Sequence, residues 1–273
     1  MTTSWPEVVA QFAKSVGLLS EIYGDVAKPG VQQVGKALAT VLGLGNTCLW
    51  PLAILNGKAE IALTRNLETF REKLATVPME KIVPVAPEVG VPIAEKLGYV
   101  RDENLANLYL NLLLKASCSN TVHQAHPAFV NVISDLAPDE ATLLEYVFEE
   151  DCVIYLHAKW QHPVKPTYTV AGDLLLSPSL LDQLTFPQNA PAYLHHLAGL
   201  GLLKAYPDRQ AAAGNYSDVT DHWRDQLEKS RTPDEFGTLN FQQGIVLSTD
   251  FGRQFIEACH SKANEMTTLA CRP

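Results

Sequence analysis

The sequence predicts a mainly α protein: an N-terminal multi-helix bundle over residues 1–137, then an α+β winged-helix-like unit with a short β-sheet over residues 138–273. Three observations predict it. Between Glu95 and Phe148 three helical patterns follow one another on short linkers, so their apolar stripes must pack together. In the second half, helical segments, a Leu-Gly-Leu-Leu step, strands around a long polar loop and a closing helix come in the order of a winged-helix unit. Hydrophobic residues make up 47% of the chain and charged ones 19%, the composition of a globular protein with a sizeable core.

The elements follow from local signals. From Trp5 to Ile22, Val8, Val9, Phe12, Val16 and Leu19 make an amphipathic arm that ends at Gly24-Asp25 and Lys28-Pro29-Gly30. Ala37 to Gly57 is 21 residues without a charge, close to the length that spans a bilayer core. Gly43, Gly45, Asn46 and Thr47 interrupt it before Pro51, so it reads as an apolar helical hairpin, either buried or able to enter a membrane. Leu42, Leu44, Leu49, Trp50, Leu52 and Ile54 are its candidate membrane or partner surface. The helix that follows repeats Leu63, Leu67, Phe70, Leu74 and Val77. Val77 to Pro92 holds four prolines and reads as a connector packed down through Ile82, Val83, Val85 and Val89. Asp102 and Glu103 open a helix with one buried face, Pro127 opens the next with Phe129, Val130 and Ile133, and Pro138 with Asp139 and Glu140 opens the third. Beyond Asp151, VIYLHAKW is a strand or a helix end, and an extended segment runs to about Ala171. Leu180 to Leu184 and Ala192 to Leu203 are helical, Tyr206 to Phe241 is a long polar loop, and the short strand Gly244 to Ser248 enters a last helix from Thr249 to Lys262.

Charge and cysteine usage bound the function. The formal charge is −9, and Pro138 onward carries 10 Lys and Arg against 18 Asp and Glu, whereas Met1 to Ala137 has 11 against 12. That balance argues against a sequence-independent grip on nucleic-acid phosphates. Ala192 to Leu203, where a recognition helix would lie, contains no Arg, Lys, Asn or Gln, which argues against a DNA-binding winged-helix regulator as well. The five cysteines are widely spaced without a CxxC, and the first residues lack a secretory pattern, so reduced thiols in the cytoplasm are expected, with the chain at most peripheral to the inner membrane.

Chemistry-bearing motifs are few. Cys118, His123 and His126 are candidate metal ligands, but no fourth ligand or HExxH-type carboxylate accompanies them, and His126 stands directly before a helix-opening proline where capping is role enough. Cys152 with His157 and His162, and the adjacent His195 and His196, make no better set. No GxSxG, phosphate loop, GxGxxG or SxxK is present, and the carboxylate groups Asp102-Glu103 and Glu149-Glu150-Asp151 fit helix ends. No catalytic residue and no cofactor is expected from these residues.

Lys28-Pro29, Val34-Gly35-Lys36-Ala37, Ile82-Val83-Pro84, Val91-Pro92, Asp102-Glu103, Tyr109 to Leu113, His126-Pro127-Ala128-Phe129 and Leu136 to Ala141 stand in an order that resembles the bacterial abortive-infection alpha family. The likeness runs from about Tyr23 to Tyr146, and Leu197 to Leu202 and Leu247 to Phe255 look like its C-terminal continuation. The resemblance implies defence against phage by arrest or death of the infected cell, and it implies no catalytic residues. Gly35, Asp102, Asn111, His126, Pro127, Phe129 and Pro138 are the motif positions, and each has a structural reading. Two functions follow: a non-enzymatic defence protein acting through a protein partner or self-association, or a membrane-acting toxic effector that releases the 37–57 hairpin. A hydrolase built on His123 and His126 is a weaker third. Liposome dye release separates the first two: leakage that vanishes when Ala37 to Gly57 is replaced by a charged helix of equal length identifies the effector.

Overall fold

A computed structural model describes residues 57–150, 152–212, 214–230 and 237–260. The amphipathic arm, Gly35 and the apolar stretch with Leu42, Leu44, Leu49, Trp50, Leu52 and Ile54 lie outside the described residues. Among those described, no helix is long and apolar enough to cross a membrane. The chain divides into two compact units, Met1–Asp135 with Glu257–Pro273, and Leu136–Ile256.

In the first unit, α1 (Gly57–Leu74), α2 (Pro87–Leu97) and α4 (Ala128–Asp135) all pack on α3 (Glu103–Ala116). Asp102 starts α3 by accepting the Leu105 N–H at 3.0 Å, the bond an N-cap supplies to an orphan donor. Ringed by three helices, α3 buries Leu108 through Leu113 without a break, so it has no solvated face where the 3,4 spacing had suggested one. α1 buries Leu67, Phe70 and Leu74 on one side, and its buried Asn66 donates to the Leu97 carbonyl at the end of α2. The proline-rich connector is helical from Pro87: Pro87 fits the first turn, where its missing N–H costs nothing, and Pro92 is accommodated in the interior while Val89, Ile93, Ala94 and Leu97 are buried.

The second unit does not have the winged-helix arrangement. Its core is a curled, four-stranded antiparallel sheet in the order β2-β1-β4-β3, made of β1 (Val153–Gln161), β2 (Tyr168–Leu175), β3 (Leu203–Tyr206) and β4 (Thr238–Ser248). β1 and β4 pair over nine consecutive residues, far more than a wing contributes, and β1 with β2 precedes the helices that would have to come first. The other half of the expectation, an N-terminal multi-helix bundle, is also unsupported: its arm and hairpin fall outside the described residues. Nor is Tyr206 to Phe241 a loop throughout. It contains α8 (Tyr216–Lys229), whose Tyr216, Val219, Trp223 and Leu227 cover Leu156, Ala158, Trp160, Leu175 and Leu239 on one face of the sheet. α5 (Pro138–Glu149), the short α6 (Pro178–Leu181), α7 (Ala190–Gly199) and α9 (Asp250–Cys259) complete the α-helices described.

The Leu-Gly-Leu-Leu step is the end of α7. Gly201 has φ of 76°, the Gly201 N–H donates to Ala198 O at 3.0 Å and the Leu202 N–H to Leu197 O at 3.0 Å. This is a Schellman cap, closed by contact positions Leu197 and Leu202, both fully buried. A Cβ on either Gly199 or Gly201 would meet nothing within 4 Å, so the two glycines differ only in backbone conformation. Gly201→Ala is expected to destabilise the protein by about 1 kcal/mol and Gly199→Ala to be neutral or stabilising by up to about 1 kcal/mol. Urea unfolding of the two variants beside the parent protein measures the contrast.

Candidate functional site

Alternation along β1 sends Leu156, Ala158 and Trp160 under α8 and Tyr155, His157, Lys159 and Gln161 to the opposite face. Across the ladder the same face carries Gly244, Gln242 and Asn240 of β4, directly opposite Tyr155, His157 and Lys159. Its inner end is buried: Val153, Tyr155, Leu203 and Val246 have almost no exposure. Its outer end is open to solvent.

Several side chains are fixed there. His157 Nδ1 lies 2.8 Å from Asp173 Oδ1, and its side chain is 19% exposed. A carboxylate at Nδ1 holds the ring proton on that nitrogen and leaves Nε2 as the acceptor. Asp173 also takes the Leu174 N–H at 2.9 Å, and Leu174 has φ of 50°, an uncommon conformation for a side chain branched beyond Cβ. Two register shifts in the β1–β2 pairing, between Leu156 and Ala158 and between Ala158 and Lys159, accompany it. Bulges of this kind re-aim side chains. Lys159 Nζ donates to Gln242 Oε1 at 3.2 Å and sits 4.8 Å from the centre of the Tyr168 ring. Gln242 Nε2 donates to Pro207 O at 3.2 Å. Burial, then the charges of Asp173 and Asp208, push the Tyr155 hydroxyl up, so it stays protonated. At the rim, His162 Nδ1 accepts the N–H groups of Val164 and Lys165 at 3.1 and 2.9 Å and closes the β1–β2 turn. Val164, Tyr168 and Val170 are 88%, 56% and 52% exposed.

A separate cleft of about 600 Å³ is lined by Tyr146, Glu150, Cys152, Ser177, Asn215 and Asp218 among others, with no Lys, Arg or His. Burial and the Glu150 carboxylate raise the Tyr146 hydroxyl, against a hydrogen bond with Ser177. Such a lining repels phosphates and other anions.

The residues singled out in the sequence sit elsewhere. Cys118 is buried, bridged through its backbone to Ile82, while His123 and His126 are exposed on the following loop. His126 Nδ1 accepts the Ala128 N–H at 3.1 Å and its ring lies 5.7 Å from that of the buried Phe129. Pro127 precedes α4 and Pro138 is the first residue of α5. Among the described residues no group of three or more His, Cys, Asp or Glu could hold a metal ion. Asn111 is buried on α3, accepting from Lys73 Nζ at 3.0 Å and donating to the Cys259 carbonyl at 2.8 Å. Asp173 went unnoticed in the sequence, and so did the work of the two acids after Pro138. Glu140, almost fully buried, accepts the Ala137 N–H at 2.8 Å and meets His196 Nδ1 at 2.7 Å. Asp139 accepts the N–H groups of Thr185 and Phe186 at 2.9 and 2.8 Å.

The family model described as abortive infection alpha matches residues 59–259, which include both of these features. The chain belongs to the abortive infection alpha family. That membership points to abortive-infection defence and leaves mechanism open. A curated beta-galactosidase of Oenococcus oeni is 34% identical over 104 residues, 35% of this chain. The chain spans 9% of that enzyme's length, so the enzyme's activity is no guide here. A solved structure of an uncharacterized protein from the hydrocarbon-degrading marine bacterium Alcanivorax borkumensis SK2 is 14% identical, covering 56% of this chain and 96% of its own, at a TM-score of 0.26. That score carries no fold across.

Asp139 gives this abortive infection alpha protein a testable pH dependence. Burial raises its carboxyl, but the backbone N–H groups of Thr185 and Phe186, with the Thr185 and Tyr193 side chains, outweigh it and hold the carboxyl below its ordinary value. The resulting stability is present in full above the unfolded-state value and is lost as pH falls through the lower folded value. Asp139→Asn is expected to lower stability at neutral pH and to narrow its difference from the parent protein as pH drops below about 3.9, read from thermal melts across that range.

Proposed function

We propose that the protein serves abortive-infection defence in the bacterial cytoplasm by binding another protein chain, a second copy of itself included, rather than by catalysis. The observation that carries the reading is a pair of exposed apolar side chains in the first unit, Met79 at 39% and Val122 at 43%. They lie on two segments tied together by backbone bonds, Val83 N–H to Ser117 O at 2.9 Å and Ser119 N–H to Lys81 O at 2.8 Å. The tie holds the surface rigid before any partner arrives, which lowers the entropy lost on binding. The exposed His123 and His126 follow Val122 in the second segment. Apolar side chains set among polar neighbours on an ordered scaffold are what a partner buries.

The double variant Met79→Glu, Val122→Glu is expected to leave the melting temperature within a few degrees of the parent value, because both side chains are exposed. Loss of two such anchors weakens a contact by about tenfold or more. In plaque assays the variant is expected to lose protection, and size-exclusion chromatography of the parent protein at rising concentration separates self-association from a foreign partner. Full protection by a folded double variant overturns the proposal.

A further inference from the structure

Residues 152–172, between Asp151 and Asp173, carry no carboxylate, although the half of the chain around them is acidic by eight charges. The same stretch holds Lys159, Lys165, His157 and His162 with Tyr155, Trp160 and Tyr168. The β1–β2 hairpin gathers most of these on the open end of the sheet. Lys159 and Gln161 stand beside Val170 and Tyr168 in the pairing, and Gln242 and Asn240 flank them from β4. The result is an exposed aromatic ring, an ammonium group beside it, an oriented imidazole and carboxamides on a rigid, solvent-facing surface. Of the nearby carboxylates among the described residues, Asp173 is tied to His157 and Asp208 lies beyond β3 near the Gln242 amide.

We propose that this open face binds a single-stranded polynucleotide, independently of the protein contact proposed above. Base stacking needs an exposed aromatic face, which Tyr168 supplies, and backbone tracking needs cations along the path, which Lys159 and Lys165 supply. Lys159 already lies against the Tyr168 ring, so charge and stacking surface are presented together. His157 Nε2 and the Gln161 and Asn240 carboxamides offer hydrogen bonds to base edges or sugar hydroxyls. An acidic peptide would use the lysines but leave the ring and the acceptor nitrogen without purpose. A duplex is disfavoured by the net charge, since its grip draws on many cations at once, whereas a stacked single strand requires few. The strained Leu174 and the register shifts hold Asp173 on this face, and with it the His157 ring.

Fluorescence anisotropy of the full chain with labelled oligouridine and oligodeoxythymidine of about a dozen nucleotides tests it. The parent protein is expected to bind at least one of the two at low salt, and the two arms tell RNA from DNA. Tyr168→Ala is expected to weaken binding about tenfold while Tyr168→Phe retains it. Lys159→Gln is expected to make the slope of log K against log salt shallower by about 0.7. Both positions are on the surface, and circular dichroism of each variant shows that the fold is kept. No anisotropy change with either strand, or binding that Tyr168→Ala and Lys159→Gln leave unaltered, overturns the proposal.

Discussion

The nine-residue ladder between β1 and β4 is the constraint on which the second unit depends. Its register decides which side chains go under α8 and which face solvent. Leu156, Ala158 and Trp160 are buried against Tyr216, Val219 and Trp223 only while Ile154 faces Ile245 and Ala158 faces Phe241. A slip of one residue would send Tyr155, His157 and Lys159 into that apolar layer, and an unpaired lysine there costs several kcal/mol. The core therefore enforces the register, and the register exposes the polar face. Gly244 belongs to the same constraint: a Cβ there would run into the Tyr155 ring, so the close approach of β4 to β1 requires its absence.

In the first unit, α3 takes the corresponding place, and its polar residues show how completely it is enclosed. Asn111 uses both ends of its carboxamide, one on Lys73 and one on the Cys259 carbonyl, and so holds residues 148 positions apart. Burial pulls the Lys73 ammonium down and pushes the Cys259 thiol well up, against the nearby Lys115 charge. Cys259 is consequently a neutral, unreactive thiol, a packing residue rather than a nucleophile. Buried polar groups of this kind are costly unless satisfied, and they specify one arrangement when they are.

Legibility in the sequence followed the range of the signal. The start of α3 at Asp102 and the Pro138 start of α5 were readable because each depends on a few adjacent residues, whereas the helix expected from Ala192 to Leu203 ran through the glycines at which α7 ends. α8 was not, because its stripe of Tyr216, Val219, Trp223 and Leu227 is narrow and the intervening residues are charged or polar, so composition read as loop. β1 was ambiguous because much of both its faces is buried, which erases the alternation that marks a strand. The His157–Asp173 pair was hidden by parity. Counting in twos from Tyr168 assigns Gly172 and Leu174 to the open face, but the extra residue at Ala171 moves Gly172 opposite Ala158 and brings Asp173 round to His157. The resemblance was carried by short motifs whose order survives, whereas their structural meaning, such as Glu140 meeting His196, needed coordinates.

The net charge illustrates the difference between a global and a local quantity. A total of −9 governs solubility and long-range steering, and it is the right argument against a protein that coats duplex DNA. At physiological ionic strength, however, charges farther apart than about 8 Å are largely screened from one another. α8 carries Asp218, Asp221, Asp225 and Glu228, but it lies on the covered face, with the thickness of the sheet and its core layer between it and the open one. What a ligand meets on that open face is Lys159, Tyr168, His157 with its Asp173 carboxylate, and their carboxamide neighbours. Lysines set beside an exposed ring within an acidic chain give short-range attraction without long-range capture. Such a surface favours weak binding, governed by stacking and readily reversed by salt, over the tight grip that a uniformly basic protein would have.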